Sequence, residues 1–158
     1  LRGGSTISQQ LVKNEWLGRQ RTFARKLQEV ILTWRLEQAL GKDDILGHYL
    51  EIIELGPGVW GLAAAAAYWC GKAARDLTAG EAAFLAALTP EPATMSRRLA
   101  MAGGLDPRSA ERRAIILRGM KRAGVLSEAQ LTRAVREPVS LRAEALALAV
   151  SEPASPSP

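Results

Sequence analysis

Apolar residues recur at intervals of three and four along most of this chain, and no stretch alternates in the way a half-buried strand would. The pattern predicts a first helix over 6–17, a short basic break at 18–20, and a long helix from Thr22 to about residue 40, with Gly41 ending it. On the long helix Phe23, Leu27, Val30, Ile31, Trp34 and Leu36 or Gln38 make an apolar stripe, which reads as the face toward the core. Arg25, Lys26, Glu29 and Thr33 fall on the opposite side. Asp43 is the expected cap of a third helix carrying Ile45, Leu46, Tyr49, Leu50 and Ile53 on one face, and Gly56-Pro57-Gly58 breaks the chain.

Beyond the break, residues 60–70 run Trp-Gly-Leu, five alanines, then Tyr68, Trp69 and Cys70. Small residues nearly all round predict a central, closely packed helix ending at Gly71. Thr78 and Glu81 make a capping box for a helix to about residue 88. Pro90 and Pro92 predict a loop lasting to residue 105. Asp106-Pro107 opens a further helix bearing Ile115, Ile116, Leu117 and Met120, stopped by Gly124. Ser127 and Gln130 make a second capping box, for a helix to about residue 135. Residues 141–150 allow one more helix, and the Ser- and Pro-rich end, 151–158, reads as tail or linker. The expected fold class is all-α, with a main domain over 1–138 and a tail or linker over 139–158.

Composition changes this picture little, and charge changes it more. The 158 residues are 47% hydrophobic and 23% charged, an ordinary globular balance with enough chain for a core. The net charge of +5 and pI of about 9.9 suit an anionic partner: a phosphate-bearing ligand, a membrane surface or a nucleic acid. The basic residues are spread over several helices without a recognition motif, so nucleic acid is not the expected partner. The longest apolar run, 62–70, is far too short to span a bilayer. A chain opening on Leu1, directly on a motif, is expected to be a piece of a longer polypeptide.

The candidate chemistry concentrates near the start. Gly3-Gly4-Ser5-Thr6-Ile7-Ser8-Gln9-Gln10-Leu11-Val12-Lys13-Asn14 opens a helix with hydroxyls, amides and a cation. Such a start suits an anion, because its free N–H groups and dipole favour negative charge. Arg25 and Lys26 lie four and three residues before Glu29, so the three share a face, with Arg21 one turn earlier. As a solvated ion pair this would be worth only about 0.3–0.5 kcal/mol. As a site, it is a carboxylate kept ionised among cations that can meet a pyrophosphate. His48 is the only histidine and lacks partners at metal-ligand spacing, so no metal site held by the protein is expected. Cys70, among alanines and aromatics, reads as a packed thiol; Glu51 and Glu54 read as solvated helix-end residues. Core packing is the expectation for Trp16, Trp34, Trp60 and Trp69, with Trp16 and Leu17 also suited to a membrane interface.

Four motifs then fall in one order. The segment from Gly3 to Asn14 closely resembles the second signature of the family 51 glycosyltransferases, the peptidoglycan glycosyltransferases. Arg25-Lys26-Leu27-Gln28-Glu29, on to Leu36-Glu37, resembles the third. Lys42-Asp43-Asp44-Ile45-Leu46, with Tyr49-Leu50 and Gly56 to Ala65, resembles the fourth, and Arg112-Arg113 to Met120 the last. The likeness covers about residues 2–136.

The resemblance implies a lysozyme-like, mostly helical glycosyltransferase domain that polymerises lipid II into glycan strands, inverting the anomeric carbon and releasing undecaprenyl pyrophosphate. It implies that Glu29 is a catalytic residue supporting the donor pyrophosphate, with Mg2+ or Mn2+ as the metal that could assist. It also implies that Ser5, Gln10, Lys13, Arg21, Arg25 and Lys26 bind the substrate. The implied partners are lipid II, the nascent glycan strand, the bacterial cytoplasmic membrane and other cell-wall synthesis proteins. The implied place is the outer, periplasmic face of that membrane, reached through an anchor outside this chain. The first signature, which carries the family's general base, is absent from these residues, and Glu51 stands where the family has asparagine. The expectation is therefore an N-terminally truncated domain with little polymerase activity alone. The alternative is a non-catalytic homologue that binds lipid II or a partner.

Overall fold

The computed structural model describes residues 6–17 and 22–151, without the side chains of Val150 and Ser151. The chain divides into two compact units, one ending at Ile53 and one beginning at Glu54.

The first unit holds α1 (Ile7–Trp16), α2 (Phe23–Ala39) and α3 (Lys42–Ile52). Thr6 caps α1 in a capping box with Gln9: its hydroxyl accepts from the Gln9 N–H at 3.2 Å, and its own N–H donates to the Gln9 side chain at 3.2 Å. Thr22 starts α2 in the same way, accepting from the Arg25 N–H. The core of the unit is small: Leu11 and Val12 from α1, Ile45 and Tyr49 from α3, and Ile53. α1 packs on both α2 and α3.

Two expectations fail in this unit. The apolar stripe of α2 does not face the core. Phe23 is 97% exposed and Trp34 63%, and Leu27, Val30 and Ile31 are exposed with them. The buried residues of α2 are Glu29 and Thr33, from the side read as polar. Periodicity shows that a helix has two faces; only the neighbours decide which one is covered. Burial of Glu29 is tolerable because its charge is paired. The second failure is at the α2–α3 junction. Leu40 ends α2 in an extended conformation, and Gly41, at φ −67°, is the N-cap of α3 instead of a left-handed stop. Asp43 is therefore no cap; with Asp44 it occupies the first turn, where a carboxylate favours the helix dipole.

The second unit contains the one strand pair among the described residues. β1 (Glu54–Gly56) and β2 (Val59–Trp60) form an antiparallel hairpin across the predicted break. Three- and two-residue strands are too short to show alternation, which is why the all-α reading missed them. After Gly61 come α4 (Leu62–Ala65) and a π-helical turn, Ala66–Cys70, closed by Gly71 at φ +66°. A short 3-10 turn (Ala74–Asp76) leads to α5 (Ala79–Leu88). Then follow α6 (Pro92–Ala102), α7 (Pro107–Arg122), α8 (Glu128–Arg136) and α9 (Ala143–Ser151).

Trp69 is the centre of this unit. It is 0% exposed, meets Phe84 and Tyr68 edge-on, and donates its indole N–H to the Leu55 carbonyl at 2.7 Å. Ala65 and Ala66 are fully buried, but Ala63, Ala64 and Ala67 are exposed, so the small-residue run is covered on one side and not all round as expected. A second cluster, Ala83, Leu117 and Ala134, joins α5, α7 and α8. Both predicted capping boxes, at Thr78 and Ser127, are present.

One further reading changes here: Pro92 does not prolong a loop but is the first residue of α6, where a missing N–H costs nothing. The helix allowed over 141–150 forms as α9. α9 packs on α6 and buries Ala145 and Ala149. Arg142 fastens its start: the backbone N–H donates to the Trp69 carbonyl at 2.9 Å and the guanidinium to that of Ala67 at 3.2 Å. The Trp69 carbonyl lies in the last turn before Gly71, where a helix leaves carbonyls without intrahelical partners, and the Arg142 N–H takes it.

Candidate functional site: a carboxylate held between two cations

The first turns of α2 build the site. With Thr22 capping the helix, residues 25, 26, 29 and 33 follow at one-turn spacing. Arg25 donates from its terminal nitrogen to Glu29 Oε2 at 3.1 Å, and Lys26 Nζ pairs with Glu29 Oε1. Each carboxylate oxygen thus has its own cation. The Glu29 side chain is only 3% exposed, while that of Lys26 is half exposed. Burial pushes the Glu29 carboxyl up, but the hydrogen bonds and charges of Lys26 and Arg25 outweigh it and hold it below the ordinary range. Glu29 is therefore ionised at neutral pH and is not a proton carrier there.

Two polar atoms on the same face have no partner: Arg25 Nε and Thr33 Oγ1, both buried. Unsatisfied buried groups are uncommon and call for a reason. Here they lie one turn to either side of Glu29.

The other expected site residues are distributed differently. Gln10 lies on α1, where its Oε1 accepts from the Tyr49 hydroxyl at 3.1 Å. Lys13 is exposed in the last turn of α1. Ser5 and Arg21 lie outside the described residues. The structure thus brings together Arg25, Lys26 and Glu29. Separately, Tyr49, which the sequence placed on an apolar stripe and in the fourth motif, ties α3 to Gln10. The signal was available, since a buried tyrosine hydroxyl needs a partner.

The chemistry of the set does not fit a metal held by the protein. Both Glu29 oxygens face cations, and no group of three or more His, Cys, Asp or Glu that could hold a metal ion occurs among the described residues. His48 and Glu51 are an exposed pair 3.9 Å apart, as a solvated reading of Glu51 requires. Burial, with the nearby Glu81 charge, pushes the Cys70 thiol up to about 11, so it is packed and unreactive. Arg113, from the last signature, is buried and architectural. Its guanidinium donates to the carbonyls of Gly80 (3.0 Å), Ala134 (2.5 Å) and Glu137 (2.8 Å), tying α5 and the end of α8 to α7.

The described residues thus make a mostly helical protein in which α2 buries a doubly paired carboxylate. Comparison with known proteins narrows the class. The family model described as Transglycosylase matches residues 1–121, and the chain belongs to that family. A biosynthetic peptidoglycan transglycosylase of Acinetobacter baumannii is 50% identical over 90 residues, covering 57% of this chain and 40% of that protein. A putative transglycosylase of Cupriavidus necator is 40% identical over 141 residues, covering 89% of this chain and 58% of the relative. Penicillin-binding protein 1A of Aquifex aeolicus is 38% identical over 144 residues, 91% of this chain and 19% of that one. The chain thus spans about 40% of the length of the first of these relatives. The crystal structure of penicillin-binding protein 1A from Haemophilus influenzae superposes with a TM-score of 0.55 at 25% identity, covering 86% of this chain and 16% of that one. The lysozyme-like helical fold implied by the motifs is the fold of this chain.

Proposed function

We propose that this chain is the pyrophosphate-binding part of a peptidoglycan glycosyltransferase. It would polymerise lipid II into glycan strands, with inversion at the anomeric carbon and release of undecaprenyl pyrophosphate. The observation that carries the reading is the Arg25–Glu29–Lys26 cluster. Transfer of the glycan from its pyrophosphate builds negative charge on the departing oxygen, and preorganised cations stabilise that charge best when they need not reorient. Glu29, ionised and buried, holds both cations in place. Lys26, half exposed, is the one able to reach the pyrophosphate, with Arg25 behind it. Glu29 is therefore a positioning residue that acts through the cations. Ser5, Gln10, Lys13 and Arg21 complete the substrate-binding set in this reading. No step is assigned to Mg2+ or Mn2+, for which the residues are unsuited.

A polyprenyl-linked substrate resides in a bilayer, so the reading places the protein at the outer face of the bacterial cytoplasmic membrane. The exposed apolar stripe of α2 supports this, since Phe23, Leu27, Val30, Ile31 and Trp34 form a face unsuited to water. No helix among the described residues is long and apolar enough to cross a membrane. Family membership and the relatives' names favour the enzyme over a homologue that only binds lipid II.

The test is binding of a lipid II analogue in detergent. Lys26→Ala should weaken it about tenfold or more, the loss of one charge-assisted contact. Equal affinity in a folded variant would end the reading.

A further inference from the structure

Two helices, one in each unit, have outer faces of opposite charge. On α7 the buried side is Ser109, Arg113 and Leu117. The outer side runs Arg108, Arg112, Ile115, Gly119 and Arg122, at alternating intervals of four and three, the spacing of a row laid along another helix. Arg118 flanks the row, Glu111 is the one carboxylate of the helix, and Ile115 is 50% exposed. Lys121 pairs with Glu128, but Arg108, Arg112, Arg118 and Arg122 form no ion pair among the described residues. On α3 the buried side is Ile45 and Tyr49, and Asp43, Asp44, Gly47 and Glu51 are exposed. Glu51 meets only the exposed His48, and Asp43 and Asp44 form no ion pair among the described residues.

Each face also contains a glycine inside its helix, where glycine costs stability relative to alanine. A Cβ at Gly47 or at Gly119 would meet nothing within 4 Å, so no neighbour in the fold calls for glycine at either place. A notch on an exposed helix face is of use to a group that approaches from outside. The two faces are complementary when the helices run antiparallel. Arg112 then lies opposite Glu51, Ile115 beside Gly47, Gly119 opposite Asp44, and Arg122 within a turn of Asp43.

We propose that the α7 face of one copy docks on the α3 face of a second copy of this chain. The contact is head to tail, so further copies can add in the same way. The net charge of +5 opposes association and the two helices are short, so the contact is weak and transient. Exposed ion pairs hold it, so salt weakens it. The proposal does not rest on the glycosyltransferase reading.

The test is sedimentation velocity of the full chain over a concentration series. Wild type should sediment faster as concentration rises at low salt, and as a monomer at about 0.5 M salt. Arg112→Glu and Glu51→Arg should each weaken association about tenfold or more, and the double variant, which exchanges the two charges, should return to within about threefold of wild type. Gly47→Leu, for which the monomer has room, should weaken association as much while melting no lower by circular dichroism. A wild type that stays monomeric throughout overturns the proposal, as does a double variant no better than the singles. Association that persists in salt and ignores both charge reversals also overturns it, and would place the contact on the apolar stripe of α2. A monomeric wild type that binds phosphatidylglycerol vesicles and loses them with Arg112→Glu would make the α7 face a lipid contact instead.

Discussion

The two units treat amphipathic helices in opposite ways. In the second unit, α5 buries nearly every position: Gly80, Glu81, Ala83, Phe84, Leu85, Ala87 and Leu88 are all covered. In the first unit, α2 covers only Glu29 and Thr33 and leaves its large apolar residues in the open. The second unit uses burial for cohesion, around Trp69. The first uses it to desolvate a carboxylate and strengthen its hold on two cations. The first unit has its own small apolar core, but on α2 burial falls on a paired carboxylate while the large apolar residues stay exposed.

The sharpest break of that comparison is a pair of tryptophans. Trp69→Ala removes a fully buried ring and its bond to Leu55, and should cost about 3–5 kcal/mol in denaturant unfolding. Trp34→Ala, on the exposed stripe, should change stability by less than about 0.5 kcal/mol. Comparable losses would mean that the stripe is covered in solution.

Arg113 comes next in size. Arg113→Leu abandons three carbonyls and should cost about 2–4 kcal/mol by the same measurement. Lysine should recover only part of this, because an ammonium cannot present the same planar fork. A neutral outcome would show that α7 and α8 stay joined by the Ala83–Leu117–Ala134 contact alone.

The smallest effect is in pH. In the second unit, burial pushes the Glu81 carboxyl up, but Lys72 and the Thr78 cap outweigh it, so its folded value lies below the ordinary 4.5. Lowered folded values contribute stability above the unfolded value that is lost as pH falls through the folded one. Glu29 has the same sign. Wild type should therefore weaken as pH falls below about 4.5, and Glu81→Gln should show a flatter profile there while starting less stable at pH 7. An unchanged slope would remove Glu81 as a contributor.

Much of the fold was written in local signals. The capping boxes at Thr78 and Ser127, the cap at Thr22, the proline start of α7 and the glycine end at Gly71 are made by residues a few positions apart, so a short window contains the whole cause. The Arg25–Lys26–Glu29 cluster was legible for the same reason, because helical spacing alone brings the three together.

What the sequence could not carry is which surface each element shows. The stripe on α2 has the right period for a core face, yet α1 lies against the other side. Trp16, Trp34, Trp60 and Trp69 look alike in a list of apolar positions, but only Trp69 is buried. The hairpin at Glu54–Trp60 depends on the indole of Trp69 reaching back to Leu55, fourteen residues away. Sequence by itself determined most of the helices, several of their caps and the ion cluster, because those are set by neighbours along the chain, but not α6 or the α2–α3 junction. Tertiary structure decided burial, the hairpin, the reach of Arg113 and the docking of α9, because each depends on groups that meet only when distant segments pack.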